Sequence, residues 1–369
     1  MTLKLALLAA VALTVATSTA VHAEDAIKIA INGPITGSTA SMGEQMKRGA
    51  EMAVKDINAA GGVLGKRLDL MVGDDACDPK QAVAIANQAA KAGVLFVSGH
   101  FCSGSSIPAA AVYNEEGILQ ISPASTNPKL TELGFKNVFR VCGRDDQQGA
   151  VAGNYLATHY KTGSIAILND KSSYGKGLAD DTKRTLNAAG VQERLNEAYS
   201  AGEKDFTALV SKLKQARVEV VYVGGYHTEA GLIARQMRNQ GLHARVIGGD
   251  AMVTNEYWAI TGTAGEGSMM TFGPELRDKP EAKDVAKAFR ASGYEPEGYT
   301  LYSYATVQIY AEAVKRAGGT DLEKVEEQLH ARPFDTVMGK LSFNEKGDVT
   351  HPAYVFYQWH DGKYAEMAP

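Results

Sequence analysis

From Ile27 onward the chain alternates two hydrophobic rhythms. Short, β-branched apolar runs at 27–31, 68–72, 94–98 and 118–122 read as strands. Between them, longer segments repeat apolar residues every three or four positions, the spacing of one helix face. The helices so predicted cover 43–60, 79–92 and 105–116. In the first, Met46, Ala50, Ala53, Val54 and Ile57 share one face and Lys47, Glu51 and Lys55 another, and Gly61-Gly62 supplies the left-handed positions on which helices stop. The rhythm then restarts, with strands at 165–168, 218–223 and 246–248 and helices near 177–189, 206–215 and 230–240; Gly190 and Gly241 close the first and third. Past residue 272 come helices at 281–291 and 301–317 and strand-like runs at 340–343 and 353–359. This alternation predicts parallel sheets covered by helices, in two successive α/β units with no long linker between them.

Size agrees, since 369 residues correspond to roughly two domains at about 150 residues each. Hydrophobic content of 45%, charged content of 22% and a net charge of −4 are ordinary for a folded chain. No block of like charge stands out, so the attraction that drives nucleic-acid binding is missing and nucleic acid is not an expected partner. Residues 1–23 change the picture more. A positive start through Lys4, an apolar run from Leu5 to Ala16 and the small-residue site Val21-His22-Ala23 form a secretory signal peptide, cleaved after about Ala23. The apolar run is too short to span a bilayer, which needs about 20 residues, and no later segment is long enough, so the mature chain is expected to have no membrane span and to work as a periplasmic monomer.

Export makes cysteine chemistry oxidising. Cys77 and Cys102 both follow predicted strands, where loops emerge at one sheet edge, and a bridge between them would close a loop of about 25 residues. Cys142 then remains, best read as a buried thiol acting as a small hydrophobe.

Catalytic and cofactor signatures do not assemble. Gly33, Gly37 and Gly43 lack the G-x-G-x-x-G spacing, no phosphate-binding G-x-x-x-x-G-K-[ST] occurs, and Phe101 interrupts what would be G-x-S-x-G in Gly99–Gly104. The eight histidines show no ligand spacing, and neither metal nor cofactor is expected. Asp74-Asp75 reads as a pair of turn and helix caps rather than a catalytic couple. The loops following the strands are what remain informative, because ligands of open α/β sheets sit outside the carboxyl ends of the strands. Ser103, Ser125 and Thr126 crowd hydroxyl donors there, beside the N–H groups of a helix start, and could hold a carboxylate without a formal positive charge. Ser105 and Ser106 read as helix caps.

Several blocks in fixed order resemble the periplasmic leucine/isoleucine/valine-binding proteins of ABC importers, within the type I periplasmic binding proteins. They are Asp74–Val83, Gly99-His100-Phe101-Cys102-Ser103, Asp170-Lys171 with Tyr174-Gly175, Ala201–Phe206, Gly224-Gly225-Tyr226-His227, Asp335–Gly339 and Phe356–His360. The resemblance implies two Rossmann-like lobes joined by three crossover strands and closing like a flytrap: 24–144 plus 273–351, and 145–272 plus 352–369. It also implies the Cys77–Cys102 disulfide.

Carried over position by position, the resemblance puts the carboxylate of a free amino acid on Ser103, Ser125, Thr126 and nearby N–H groups, and the ammonium on the Ala124 carbonyl and Asp250. Tyr174 and Tyr226 would close from the second lobe, offering aromatic faces to the cation, while Met42, Phe101 and Tyr299 would bound the side-chain pocket. Three positions depart from the family's habit. Asp250 stands where glutamate is common, Phe101 where leucine is frequent and Tyr299 where phenylalanine is frequent. The pocket is therefore expected to be narrower and more polar, suited to leucine, isoleucine, valine or a smaller ligand such as alanine, proline or γ-aminobutyrate. Delivery would be to the transmembrane permease subunits of an ABC importer; the alternative is a secreted receptor-like sensor using the same cleft. Enzyme activity is not expected, because no nucleophile, base and orienting group converge.

Overall fold

A computed structural model describes residues 26–161 and 164–367; the signal peptide lies outside the described residues. The first unit runs β1 (Ile27–Gly33), α1 (Ala40–Ala59), β2 (Leu68–Asp74), α2 (Pro79–Ala92), β3 (Phe96–Gly99), α3 (Ser103–Glu115), β4 (Leu119–Ser122), α4 (Lys129–Glu132) and β5 (Val138–Arg140). Its strands form an all-parallel sheet in the order β2-β1-β3-β4-β5. The second runs α5 (Asp145–His159), β6 (Ile165–Asn169), α6 (Ser173–Ala188), β7 (Leu195–Ala198), α7 (Thr207–Gln215), β8 (Val220–Gly224), α8 (His227–Asn239), β9 (Arg245–Gly248), α9 (Asn255–Thr261) and β10 (Met269–Phe272). The chain then adds α10 (Lys283–Ala291), α11 (Thr300–Ala317), α12 (Leu322–Ala331) and the hairpin β11 (Phe334–Thr336) and β12 (Gly339–Leu341), and ends in β13 (Val355–His360) and β14 (Lys363–Glu366). The second sheet is ordered β14-β13-β10-β9-β8-β6-β7, with β13 and β14 the antiparallel members.

The two sheets repeat one plan. Each begins with its second, first, third, fourth and fifth strands in that spatial order, so chain direction across the sheet reverses between β1 and β3 and again between β6 and β8, and a crevice opens at such a point. Period-2 alternation explains how each sheet is covered. Ile27, Ile29 and Ile31 of β1 face one apolar cluster with α1 and α11, whereas Ala30 turns to the opposite face against Ala82, Ala86 and Ala89 of α2 and Ala109 of α3. Helix α11 returns after the second sheet to pack on α1 and β3. The backbone therefore passes between the sheets three times: after β5, after β10 and before β13.

The α/β class with parallel-rich sheets expected from the sequence is the one observed. The differences lie at element ends. Helix α1 starts at Ala40 rather than 43, α3 at Ser103 rather than 105, α6 at Ser173 rather than 177 and α8 at His227 rather than 230. These first turns are rich in small and polar residues (Ser41, Gly43, Ser103, Gly104, Ser105, Ser173, Gly175, His227, Thr228), which carry no apolar period. Strands β5, β7, β10, β11 and β14 and helices α4, α5, α9 and α12 were not anticipated, and the run at 340–343 is the second strand of a hairpin. Helix α5 escapes the periodic pattern because it packs through glycine. A Cβ on Gly149 would come within 2.7 Å of the Asp181 Cβ, and one on Gly153 within 2.7 Å of the Thr182 carbonyl oxygen on α6. Among the described residues no helix is long and apolar enough to cross a membrane.

Cys77 and Cys102 form a disulfide with Cα atoms 5.5 Å apart, and Cys142 is free and buried. The bridge joins the loop after β2 to the residue preceding α3. With a sequence separation of 25, the chain-entropy relation gives it about 3.5 kcal/mol. Urea unfolding of a Cys77→Ala, Cys102→Ala variant should show a loss of that size, and a loss below about 1 kcal/mol would mean that the loop is held by its other contacts.

Candidate functional site

The carboxyl ends of the two sheets face each other, and side chains from the loops at those ends reach across. Asn127 Nδ2 donates to the Ser173 carbonyl at 2.7 Å, the Thr228 hydroxyl to the Ser38 carbonyl at 2.7 Å, and Gln45 Nε2 to the Val253 carbonyl at 3.1 Å. Between these contacts Phe101, Ser103, Thr126, Tyr174, Tyr226, Asp250 and Tyr299 are all buried.

One pole of this enclosure is Asp250, which follows β9 and opens a single 3₁₀ turn. Its carboxylate accepts the Tyr174 hydroxyl at 2.9 Å through one oxygen and the Tyr299 hydroxyl through the other. Tyr174 is set by the first turn of α6, where the Ser172 hydroxyl caps the Gly175 N–H at 2.8 Å. Tyr299 is set by Gln45 of α1, whose Oε1 accepts the Tyr299 N–H at 2.9 Å while its nitrogen holds Val253. The chain beside Asp250 has to be bare: a Cβ on Gly249 would lie 2.6 Å from the Tyr174 hydroxyl oxygen and 2.5 Å from Leu178 Cδ2. Burial pushes the Asp250 carboxyl above the usual carboxylate range, and the Tyr299 hydroxyl, the Gln148 amide and the Tyr174 hydroxyl hold it partly back.

The other pole is made of donors. Ser103 opens α3, and its hydroxyl oxygen accepts the Asn127 N–H at 3.2 Å, which leaves its own O–H free to donate. The Thr126 hydroxyl is buried without a partner. Ser125 is different: its hydroxyl reaches the His100 and Phe101 carbonyls, each at 3.0 Å, and the Ser106 hydroxyl at 2.6 Å. It braces the loop, and the Ser125 N–H is donated to the Ser122 hydroxyl at 2.8 Å while its carbonyl accepts from Arg140 at 2.8 Å, so against expectation Ser125 offers the cleft no free group. Ala124 is buried in the same loop, its N–H 3.2 Å from the Ser122 hydroxyl. Aromatic rings line the rest. Phe101 lies 6.0 Å from Tyr226 and 5.7 Å, nearly edge-on, from Tyr299, and Tyr174 lies 5.1 Å from Tyr226. Met42, in the first turn of α1, belongs to the same apolar cluster. Asp74 and Asp75 are structural. Asp74 accepts the N–H groups of Ile35 and Ala76, both at 2.9 Å, and Asp75 is buried against His100 Nδ1 at 2.6 Å.

Three polar residues of the site were not anticipated, and all lie between β5 and the second turn of α5. Asp145 is fully buried, and neither of its carboxylate oxygens meets a donor in hydrogen-bonding geometry. Burial raises its pKa well above the ordinary value and the nearby Asp250 charge raises it further, while the adjacent Thr126 hydroxyl and the Arg140 charge offset this only in part. Gln148 donates to the Thr271 carbonyl at 3.3 Å, and its amide oxygen is buried and unpartnered. Arg140, buried at the end of β5, lies behind the 125–128 loop. The signal for Asp145 and Gln148 is the run Arg144-Asp145-Asp146-Gln147-Gln148, a polar cluster that follows the strand ending at Arg140. A strand of three residues is too short to read by periodicity, so this loop was passed over.

A pair of parallel-rich α/β sheets closed over a buried acid at one pole and free donors at the other defines a two-lobed binding protein. The sequence profile of the periplasmic binding proteins matches residues 26–363, and the chain belongs to that family, which is one of substrate-binding proteins rather than enzymes. It is 53% identical over 342 residues, 92% of either chain, to "Leu/Ile/Val-binding protein homolog 1" of Brucella suis biovar 1. It is 50% identical over 353 residues, 94% of either chain, to an "Amino acid binding protein" of Pseudomonas aeruginosa. Among solved structures it is similar to the branched-chain amino acid transporter substrate-binding protein LivJ of Streptococcus pneumoniae in complex with isoleucine, with a TM-score of 0.84, 27% identity, and coverage of 93% of this chain and 100% of that one.

Asp145 has a consequence for stability. A carboxyl whose pKa is higher folded than unfolded favours the fold at low pH, and that contribution is lost as pH rises from about 4 through the folded value. The ligand-free protein should therefore melt higher at pH 5 than at pH 7.5, and two further acids add to the trend: Asp250, which burial also raises, and Glu297, whose pKa burial pushes up to about 7. Asp145→Asn should narrow the difference and raise the pH 7.5 melting temperature in scanning calorimetry. A lower midpoint for the variant would contradict this.

Proposed function

We propose that this protein is an exported, monomeric solute-binding protein that captures a free aliphatic amino acid and delivers it to the transmembrane permease of an ABC importer. The observation that carries the reading is the polarity of the cleft. Asp250, with Asp145 beside it, suits an ammonium group, and the Ser103 and Thr126 hydroxyls with the first-turn N–H groups of α3 suit a carboxylate. A zwitterion is the simplest molecule that complements both. The name of one relative, a Leu/Ile/Val-binding protein homolog, and the isoleucine complex of the Streptococcus pneumoniae protein support an aliphatic side chain against Phe101, Tyr226, Tyr299 and Met42.

The lobes 24–144 plus 273–351 and 145–272 plus 352–369 swing about the three backbone passages. Ligand binds the first lobe, and closure is selected because only the closed form completes both sets of contacts. Excluding water strengthens the contact between Asp250 and the ammonium. The substitutions at the wall act together. Aspartate is one methylene shorter than glutamate, and the Tyr299 hydroxyl occupies the position beside it that phenylalanine would leave apolar. A pocket narrowed in this way favours alanine, valine, proline or γ-aminobutyrate over leucine, although each methylene discriminates by only about 1 to 3 kcal/mol.

Thermal-shift screening of the processed protein tests this. A ligand at 100 times its Kd stabilises the fold by about 2.7 kcal/mol, so small aliphatic amino acids should raise Tm by several degrees while their N-acetyl derivatives do not. No shift with any amino acid would remove the reading. Asp250→Asn should weaken binding at least tenfold by calorimetry, since a hydrogen bond to a charged group contributes about 1.5 to 3 kcal/mol.

A further inference from the structure

The loop that would take the ligand's carboxylate has a positive charge behind it. Arg140 is wholly buried, and its terminal nitrogens point at main-chain oxygens: Nη1 donates to the Ser125 carbonyl at 2.8 Å and the Asn127 carbonyl at 3.0 Å, and Nη2 to the Pro128 carbonyl at 3.4 Å and the Thr131 hydroxyl at 2.7 Å. Its Nε lies 2.7 Å from Asp348 Oδ1, and the Thr131 hydroxyl that accepts from Nη2 also donates to that oxygen at 2.8 Å. The other oxygen of Asp348 meets Arg144 at 3.2 Å, and Arg144 in turn pairs with Glu132 and Asp146, each at 2.8 Å. Arg140 is thus shared between the Asp348 carboxylate and the carbonyls of the 125–128 loop.

Planarity of the trans peptide carries the argument one atom further. A Ser125 carbonyl directed at Arg140 forces the N–H of Thr126, on the same peptide, to point the opposite way. That N–H is polarised by the cation bound to its carbonyl, because hydrogen bonds in a low-dielectric interior reinforce one another along a chain. Beside it stands the buried Thr126 hydroxyl, which lies next to the Asp145 carboxyl and makes no hydrogen bond of good geometry within the protein.

We propose that Arg140 is a positioning residue for carboxylate recognition: it fixes the 125–128 loop and charges the Ser125–Thr126 peptide from behind, supplying at one remove the cation that the cleft itself lacks. This rests on the carboxylate lying at Ser103 and Thr126. A role confined to holding the fold predicts that stability and binding fall together; an electrostatic role predicts that they separate when the counter-charge is removed.

The test is titration calorimetry with L-valine and L-alanine, alongside thermal melts of the ligand-free proteins. Arg140→Gln should weaken binding of the amino acid that wild type holds by at least tenfold. Asp348→Asn should lower the melting temperature yet tighten binding two- to fivefold, because it removes the negative charge of Asp348 and leaves the carbonyl contacts of Arg140 in place. Binding by Arg140→Gln within threefold of wild type overturns the proposal. So does an Asp348→Asn variant that binds no more tightly than wild type, and that variant decides the matter alone should Arg140→Gln not fold. Should wild type bind neither, the titrations are run with the amino acid that the thermal-shift screen returns, and failure with every amino acid is a separate result that removes the parent reading together with this one.

Discussion

A carboxylate taken out of water is costly unless its surroundings replace the lost solvation, and the cleft is organised around that constraint at Asp250. Its two oxygens are claimed by tyrosine hydroxyls from different parts of the chain: Tyr174 from the first turn of α6 and Tyr299 from the residue before α11. Each tyrosine has its own support. A helix cap at Ser172 sets the first, and Gln45 of α1 sets the second while also gripping Val253 beyond Asp250. The acid is therefore the meeting point of both sheets, and the bare backbone at Gly249 follows from the same crowding.

The donor pole is assembled by a different device. The loops after β3 and β4 hold each other through serine hydroxyls, three of which converge on the His100 carbonyl: Ser106, Ser122 and Ser125. His100 is itself fixed by Asp75 and Tyr113, and the adjacent Cys102 by its disulfide to Cys77. Rigidity here matters because backbone N–H groups recognise an anion only when they are already aimed at it. Asp145 stands apart from this economy of satisfied groups. A buried carboxyl without a donor is a local destabilisation that natural folds tolerate where function requires it, and it lies on the segment where the chain first leaves one sheet for the other.

Strand and helix rhythm, the two α/β units and the pairing of Cys77 with Cys102 were legible in the residues alone. These depend on local periodicity, on chemistry near in sequence, and on blocks whose order is itself informative. Phe101, Ser103, Tyr174, Tyr226, Asp250 and Tyr299 were also legible as a set, and the fold buries them together. The direction of each side chain was not. Ser125 and Thr126 are neighbours of similar chemistry, yet one hydroxyl is turned into the loop and the other is left unpartnered, and nothing in their spacing separates them. Residues 140–148 were missed because a three-residue strand and a glycine-packed helix carry no apolar period.

What the sequence determined by itself is therefore the class of fold and the chemical inventory at the ends of its strands, since hydrophobic period and residue type act over a few positions. The tertiary structure alone decided which of those groups keep a free donor or acceptor, that Asp145 stands beside Asp250 although 105 positions separate them by number, and that a guanidinium backs the donor loop. Those outcomes depend on which backbone segments meet at the carboxyl ends of two sheets, and that is set by long-range packing.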